Sequence, residues 1–453
     1  MSMNTPILDF VRRYGSGDAL RLHMPGHKGK GPLGIEAEDI TEIDGADSLY
    51  EASGIIRESE ENASSLFGCR TFYSTEGSSH CIRAMLYLVC LAAGKTGDIS
   101  DRKPLIFAGR NCHKSFLSAT ALLDLDVRWL YGDSPSYLSC HITPAELDAE
   151  LERSDRLPDA VYLTSPDYLG NVLDISGLSA VCRRRGVMLM VDNAHGAYMR
   201  FLKPTRHPID LGADICCDSA HKTLPVLTGG AYLHISPSAP AFFEDNARAA
   251  LAMFGSSSPS YLILASLDAA NRTLSDGYGE RLAEFSSQAE ALRQRLAAHG
   301  FHLCGDEPLK LTLAAKPRGY TGRELSRLLA ECGIVCEFSD PDFIVMMLTP
   351  EIGCVGLSRL EDALMSIPQR APIDSPPPLP SRMRSAMSIR RAAMSPRVTV
   401  PACCAKGRIL AGMNIGCPPA VPIAVCGEVI DHAALRCFEY YGFTECTVVD
   451  EHQ

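Results

Sequence analysis

The stretch Val187-Met188-Leu189-Met190-Val191-Asp192-Asn193-Ala194-His195-Gly196-Ala197 runs five apolar residues straight into a carboxylate. Five is too few for a helix, and a continuous apolar run bounded by Gly186 reads as a strand buried on both faces. The pattern recurs outward from it. Residues 105–107, 160–163, 215–217 and 231–235 are further short apolar runs, and helix-period segments separate them between about Leu66 and Ile235. Strands alternating with helices predict an α/β fold, a mainly parallel central sheet with helices on both faces. The runs end in Gly109-Arg110, Thr164-Ser165-Pro166, Asp192-Asn193 and Asp218-Ser219. Ligands of open α/β sheets bind beyond the carboxyl ends of the strands, so these residues line one edge.

The rest of the 453-residue chain sets limits on what that edge can serve. Fifty-four acidic against 43 basic residues give a formal charge of -11, which argues against nucleic acid as the main partner. Eighteen cysteines include no Cys-x-x-Cys, so no structural metal is expected, and the thiols read as small buried hydrophobes of a reducing compartment. The N-terminus has no apolar signal core and no run is long enough to span a bilayer, so a cytoplasmic location and no membrane partner are expected. Helices are expected at 283–299 and 320–332, and an apolar segment at 344–348. The proline-rich stretch from Asp374 to Pro380 reads as an extended linker. The expected domains are 1–285 for the N-terminal segment and large domain, 286–372 for a small α+β domain, 373–382 for the linker and 383–453 for a C-terminal subdomain.

The edge holds a lysine that needs explaining. Ser219-Ala220-His221-Lys222-Thr223-Leu224-Pro225 sets Lys222 in a small-residue turn between two apolar runs, whereas His27-Lys28 and His113-Lys114 repeat the dipeptide elsewhere. Asp192, at a strand end thirty residues earlier, is costly to bury without a cation or several donors. A protonated pyridine nitrogen is one such cation, and a lysine with an aspartate at that nitrogen is the signature of pyridoxal phosphate sites. A cap on the following helix is the plain alternative. Ser74-Thr75-Glu76-Gly77-Ser78-Ser79 stands ahead of an apolar helix, where Gly77, Ser78 and Ser79 can cradle an anion; most such turns are ordinary caps. Ser219 adds a hydroxyl on the same edge. His113 follows another strand end and could stack on a flat ring, while Ala194 is small enough to let the ring's other face approach.

Taken together, the strings MPGHKG (24–29), DITEIDGADSL (39–49), STEGSS (74–79), RNCHKS (110–115), VDNAHGA (191–197), SAHKTLP (219–225) and SSSPSYLILASLD (256–268) resemble the ornithine/lysine/arginine decarboxylase family. These are fold-type I pyridoxal phosphate-dependent enzymes, and IGCPPAVPIAVCGEVI (415–430) is similar to their C-terminal domain. The resemblance implies that Lys222 carries the cofactor as a Schiff base, Asp192 pairs with its ring nitrogen and His113 stacks on its ring. It further implies that Ser78, Ser79, Ser219 and His221 hold the phosphate, and that Ser256 or Ser257 reaches it from the second subunit of a homodimer or a multiple of one. His195 is assigned to substrate, and, because a basic side chain in a partly buried pocket needs a carboxylate at its far end, so is Glu428, with a solvated loop glutamate as the plain alternative. The implied reaction is decarboxylation of lysine, arginine or ornithine to a di- or polyamine precursor. Transamination, aldol cleavage or a non-catalytic role are the alternatives, and all but the last share Lys222 and Asp192. Three positions depart from the family: Glu76 stands where asparagine is common, residues 51–54 lack the usual proline, and Cys426 replaces a proline before Gly427-Glu428. The extra N-terminal domain of the long members, and hence their ring assemblies, are not expected.

Overall fold

The structure is a computed structural model and describes residues 3–94, 102–413 and 421–450, so the first six residues of the 415–430 string lie outside it. The described chain divides into two compact units, Met1–Ile99 with Met188–Ala283, and Ser100–Val187 with Glu284–Gln453. In chain order the strands that concern the site are β1 (Arg70–Ser74), β2 (Leu105–Gly109), β3 (Asp126–Leu130), β4 (Ala160–Thr164), β5 (Met188–Asp192), β6 (Ile215–Asp218) and β7 (Ala231–Ile235).

In the first unit the strand order is β1-β7-β6-β5, with β5 parallel to β6 and β7 antiparallel to both its neighbours. In the second, β2 lies parallel to both β3 and β4. Every residue of β6 and β7 is buried, as continuous apolar runs demand. The strands expected at 105–107, 160–163, 187–191, 215–217 and 231–235 are β2, β4, β5, β6 and β7. Strands β1 and β3 had no apolar run to announce them. Strand β3 ends the strand order, and an end strand needs less apolar sequence: β3 (Asp-Val-Arg-Trp-Leu) buries only Leu130 fully, whereas β1 (Arg-Thr-Phe-Tyr-Ser) buries four of its five residues, two of them polar.

Three helices brace the first unit through one carboxylate. Asp268, on the helix Tyr261–Ser275, accepts from the backbone N–H groups of Ile7 (2.9 Å) and Leu8 (3.0 Å) in the helix Pro6–Gly15, and from Ser59 Oγ (2.6 Å) on the helix Ile55–Phe67.

The second unit carries two more sheets. Strands β8 (His302–Cys304), β9 (Lys310–Ala314), β10 (Phe338–Ser339) and β11 (Phe343–Met347) form an antiparallel sheet in the order β10-β11-β9-β8. The expected helices are Tyr278–Ala298 and Gly322–Glu331, and the apolar segment at 344–348 is β11. Strands β12 (Arg397–Pro401) and β13 (Glu445–Val449) pair antiparallel. Their neighbourhood shares a core in which Ile423, Ile430, Phe438 and Val448 are fully buried. The cysteines of the described residues are free, and no described helix is long and apolar enough to cross a membrane.

Candidate active site

In the first unit, the carboxyl ends of β5 and β6 deliver the residues singled out from the sequence. Asp192 is the last residue of β5 and is 2% exposed. Its Oδ1 accepts from Ala194 N–H at 3.2 Å and from the Cys217 thiol at 3.8 Å, and burial together with the nearby Asp192 charge pushes that thiol's pKa well up. The thiol is therefore a fixed proton donor and no nucleophile. Two residues beyond β6 begins the one-turn helix Ala220–Thr223, which holds Lys222; its Nζ lies 3.1 Å from Nε2 of the buried His195. A lysine and an imidazole at this distance share a proton.

The phosphate side fits the group implied for it. Gly77 has φ +72°, a conformation open to glycine, and a Cβ there would meet nothing closer than His221 Cε1 at 4.0 Å. Space thus remains in front of the helix Ser78–Gly94, whose first N–H groups lack intrahelical acceptors. Ser219 Oγ and Ser78 Oγ stand 2.8 Å apart at its mouth, and both residues are buried. Ser79 occupies the next position of the helix. His221 is held differently from its neighbours: Nδ1 lies 3.0 Å from Gly230 O, and burial lowers its pKa, so the neutral ring gives its proton to that carbonyl and presents a bare Nε2. The segment with Ser256 and Ser257 is tied to its own chain's phosphate turn, because Ser256 N–H donates to Glu76 Oε1 at 2.6 Å.

The other two predicted residues belong to the second unit. His113 caps the helix Lys114–Leu123: its Nδ1 accepts from Ser115 N–H at 3.2 Å, which puts the proton of the neutral ring on Nε2. Lys114 is exposed at the helix start, and Lys28 takes a left-handed turn residue's conformation with φ 55°. Glu428 is no solvated loop residue. It is 3% exposed, with Oε2 accepting from Val425 N–H (2.6 Å) and from Arg110 Nη2 (3.1 Å), while Oε1 makes no hydrogen bond among the described residues. Arg110 also donates to Pro422 O (2.9 Å) and Ile423 O (3.1 Å) and lies over Trp129 at 5.4 Å. Reasoning from sequence missed Arg110 as the partner of Glu428; the signal was its place at the end of β2, directly before the Asn-Cys-His string.

A lysine after one strand, a buried aspartate at the end of its neighbour and a glycine-serine helix mouth thus lie on an α/β scaffold that has the fold of the fold-type I pyridoxal phosphate-dependent enzymes. Comparison with known proteins narrows the class. Residues 5–307 match the family described as Orn/Lys/Arg decarboxylase, major domain, and the chain belongs to that decarboxylase family. An uncharacterised Bacillus subtilis protein, YaaO, is 32% identical over 76% of this chain and 74% of its own length. The arginine decarboxylase of the same organism is 29% identical over 94% of this chain and 91% of its own. Among solved structures, the lysine decarboxylase LdcF of Francisella novicida superposes with a TM-score of 0.77 at 16% identity, covering 98% of this chain and 81% of that one.

Proposed function

We propose that the protein decarboxylates a basic L-amino acid with pyridoxal phosphate as cofactor, releasing carbon dioxide and the corresponding amine, and that it works as a homodimer in the cytoplasm. Arginine is the first substrate to test, since relatives matching over nine-tenths of the chain are named arginine decarboxylases; lysine and ornithine are the other two. The observation that carries the reading is Lys222 beside His195, on the same strand-end edge of the first unit as the buried Asp192.

When bound, pyridoxal phosphate supplies an electron sink for the pair released as the Cα–carboxylate bond breaks. The chain's residues do the rest. Lys222 would hold the cofactor covalently. Asp192 would keep the ring nitrogen protonated, because a buried carboxylate favours a cation beside it. Gly77, Ser78, Ser79 and Ser219 hold the phosphate, with His221 as a neutral wall. The Lys222–His195 pair returns a proton to Cα after carbon dioxide leaves. The proposed role of His113, stacking on the cofactor ring, rests on the family resemblance; that of Glu428, receiving the cationic end of the substrate on Oε1, rests on the need of a basic side chain for a buried carboxylate. Ser256 or Ser257 serves the phosphate of the second subunit.

The test is direct: the purified protein, supplied with pyridoxal phosphate, is incubated with arginine, lysine and ornithine in turn, and products are identified by mass spectrometry. An amine 44 Da lighter than one of the three supports the reading, the loss being that of carbon dioxide. Transaminated or cleaved products, or none, overturn it.

A further inference from the structure

Behind the strand ends of the first unit lies a polar cluster that the reaction does not use. Asp218, the last residue of β6, is fully buried. Its Oδ2 is met by two imidazoles, His207 Nε2 at 3.1 Å and His234 Nε2 at 3.2 Å, both likewise fully buried. Its Oδ1 accepts from Asn193 Nδ2 at 2.6 Å. His234 is fixed from behind by Thr71, whose Oγ1 lies 2.9 Å from Nδ1. Burial opposes the charge on Asp218, yet the two histidines outweigh it and hold the carboxyl ionised, well below the usual range. A buried carboxylate with three donors is expensive to assemble, and apolar residues of the same volume would fill the core as well.

Position is what the arrangement offers. Asn193 immediately follows Asp192, and Asp218 immediately precedes Ser219, three residues ahead of Lys222. The backbone repeats the link, with Asn193 N–H donating to Cys217 O at 3.0 Å. We propose that Asp218 is a positioning residue: held by His207 and His234, it grips Asn193 and so fixes the strand end carrying Asp192 against the turn carrying Ser219 and Lys222. The inference rests on the functional reading above. An aspartate and a lysine that must meet opposite parts of one rigid ring tolerate little relative drift, and a misplacement of about 1 Å costs on the order of 100-fold in rate.

Asn193→Ala removes the grip and leaves Asp218 with both imidazoles. Hydrogen exchange is followed first on cofactor-free protein. The amides of Gly196, His221 and Lys222, which bond to Asn193 O, Gly230 O and Ser219 O, should exchange about tenfold faster while those of β6 and β7 stay unchanged. With cofactor and the best of the three amino acids, kcat should fall on the order of 100-fold with KM within about twofold. Should Asn193→Ala not fold, Asn193→Ser, which keeps a polar side chain too short to reach Asp218 Oδ1, is read in the same way. Unchanged exchange at the three amides, or a loss spread evenly over the sheet, would make the cluster a core feature only and overturn the proposal. So would one zinc per chain in the purified protein, since His207, Cys216 and Asp218 bring nitrogen, sulfur and oxygen within 4.8 Å of one another and a metal would replace the hydrogen bonds argued here. The exchange arm needs no turnover, so inactivity of the unmodified protein counts against the functional reading and leaves the clamp to be judged on its amides.

Discussion

Replacing Glu428 by glutamine separates two roles, its bond to Arg110 within the second unit and the proposed receipt of a substrate cation. The carboxylate is buried against Arg110, and its Oε2 already serves both Arg110 and Val425 N–H. Glutamine keeps a carbonyl oxygen for those donors, and Arg110 keeps the carbonyls of Pro422 and Ile423, so no cation is orphaned. What disappears is the charge-assisted share of the bond together with the cost of burying the charge, and because burial outweighs Arg110 for this carboxyl, the melting temperature at neutral pH should not fall. A substrate ammonium or guanidinium on Oε1 would lose on the order of 2 kcal/mol, which raises KM about 30-fold. The acidity of the group adds a second signature. Burial raises the Glu428 pKa, and Arg110 only partly offsets it. For stability, a raised carboxyl favours the folded state below its unfolded value near 4.3, and that contribution is lost as pH rises through the folded value. For binding the sign is opposite, because only the carboxylate attracts the substrate. KM should therefore climb as pH falls toward the raised pKa, and Glu428→Gln should remove this limb. Steady-state kinetics with arginine, lysine and ornithine from pH 5 to 8, beside thermal melts, read both effects. Unchanged KM for all three amino acids would show that Glu428 serves Arg110 alone.

Borohydride reduction of the cofactor-loaded protein, followed by peptide mapping, should label Lys222; a label on Lys28 or Lys114 would contradict the assignment. Asp192→Asn should fold and bind some cofactor but lose at least about 100-fold in turnover, measured under saturating substrate, and near-normal kcat would reduce Asp192 to a cap. Mixing Lys222→Ala with Ser257→Asp, each inactive alone, should restore part of the activity if Ser257 serves the partner's phosphate, and a fully active monomer by light scattering would refute the dimer. Burial pushes the Asp268 carboxyl up to about 6, so its neutral form favours the fold, a contribution complete below about pH 4 and lost as pH rises through 6. Asp268→Asn should then gain on the order of 2 kcal/mol over the unmodified protein at pH 8 and nothing at pH 4, by urea unfolding; a destabilised variant at pH 8 would show that the charge strengthens its bonds to Ile7, Leu8 and Ser59 by more than burial costs.

Local sequence exposed the strands buried on both faces, because burial on two sides favours unbroken apolar residues, as in 188–191 and 231–233. It was silent on β1, where Thr71 is polar yet buried, since its hydroxyl is spent on His234 from the neighbouring strand. The candidate site was readable for a related reason. Asp192, Lys222 and the 74–79 turn sit at strand ends or helix starts, and those places are marked by an abrupt change from apolar to small polar residues. Partners from distant segments carry no such mark. Arg110 and Glu428 are 318 residues apart, and although the place of Arg110 at the end of β2 marks it for the strand-end edge, nothing there names Glu428 as its partner. His207 likewise comes from an irregular segment to meet Asp218, so the buried cluster became visible only once β6 and β7 were paired.

The departures from the family pattern can be judged by what each side chain does in place. Glu76 brings a negative charge to the residue before Gly77, where an anion should sit. Its carboxylate is exposed and takes the Ser256 N–H, a bond that the carbonyl of an asparagine could equally accept. An exposed charge costs an anion about 1 kcal/mol at 4 Å in water, less with salt, so the exchange leaves the cradle usable and strengthens the hold on the 256–258 segment. Cys426 is buried, and its thiol, with a pKa pushed up to about 12 by burial, donates to Ala411 O at 3.2 Å. It acts as a small hydrophobe with one weak donor, a part proline can fill without the bond. The residue that shapes this turn is the next one. Gly427 has φ +95°, and a Cβ there would come within 2.4 Å of Met387 O, so only glycine delivers Glu428 to Arg110. Because the change falls at Cys426 and spares Gly427, the Arg110–Glu428 pair keeps its geometry despite the altered motif.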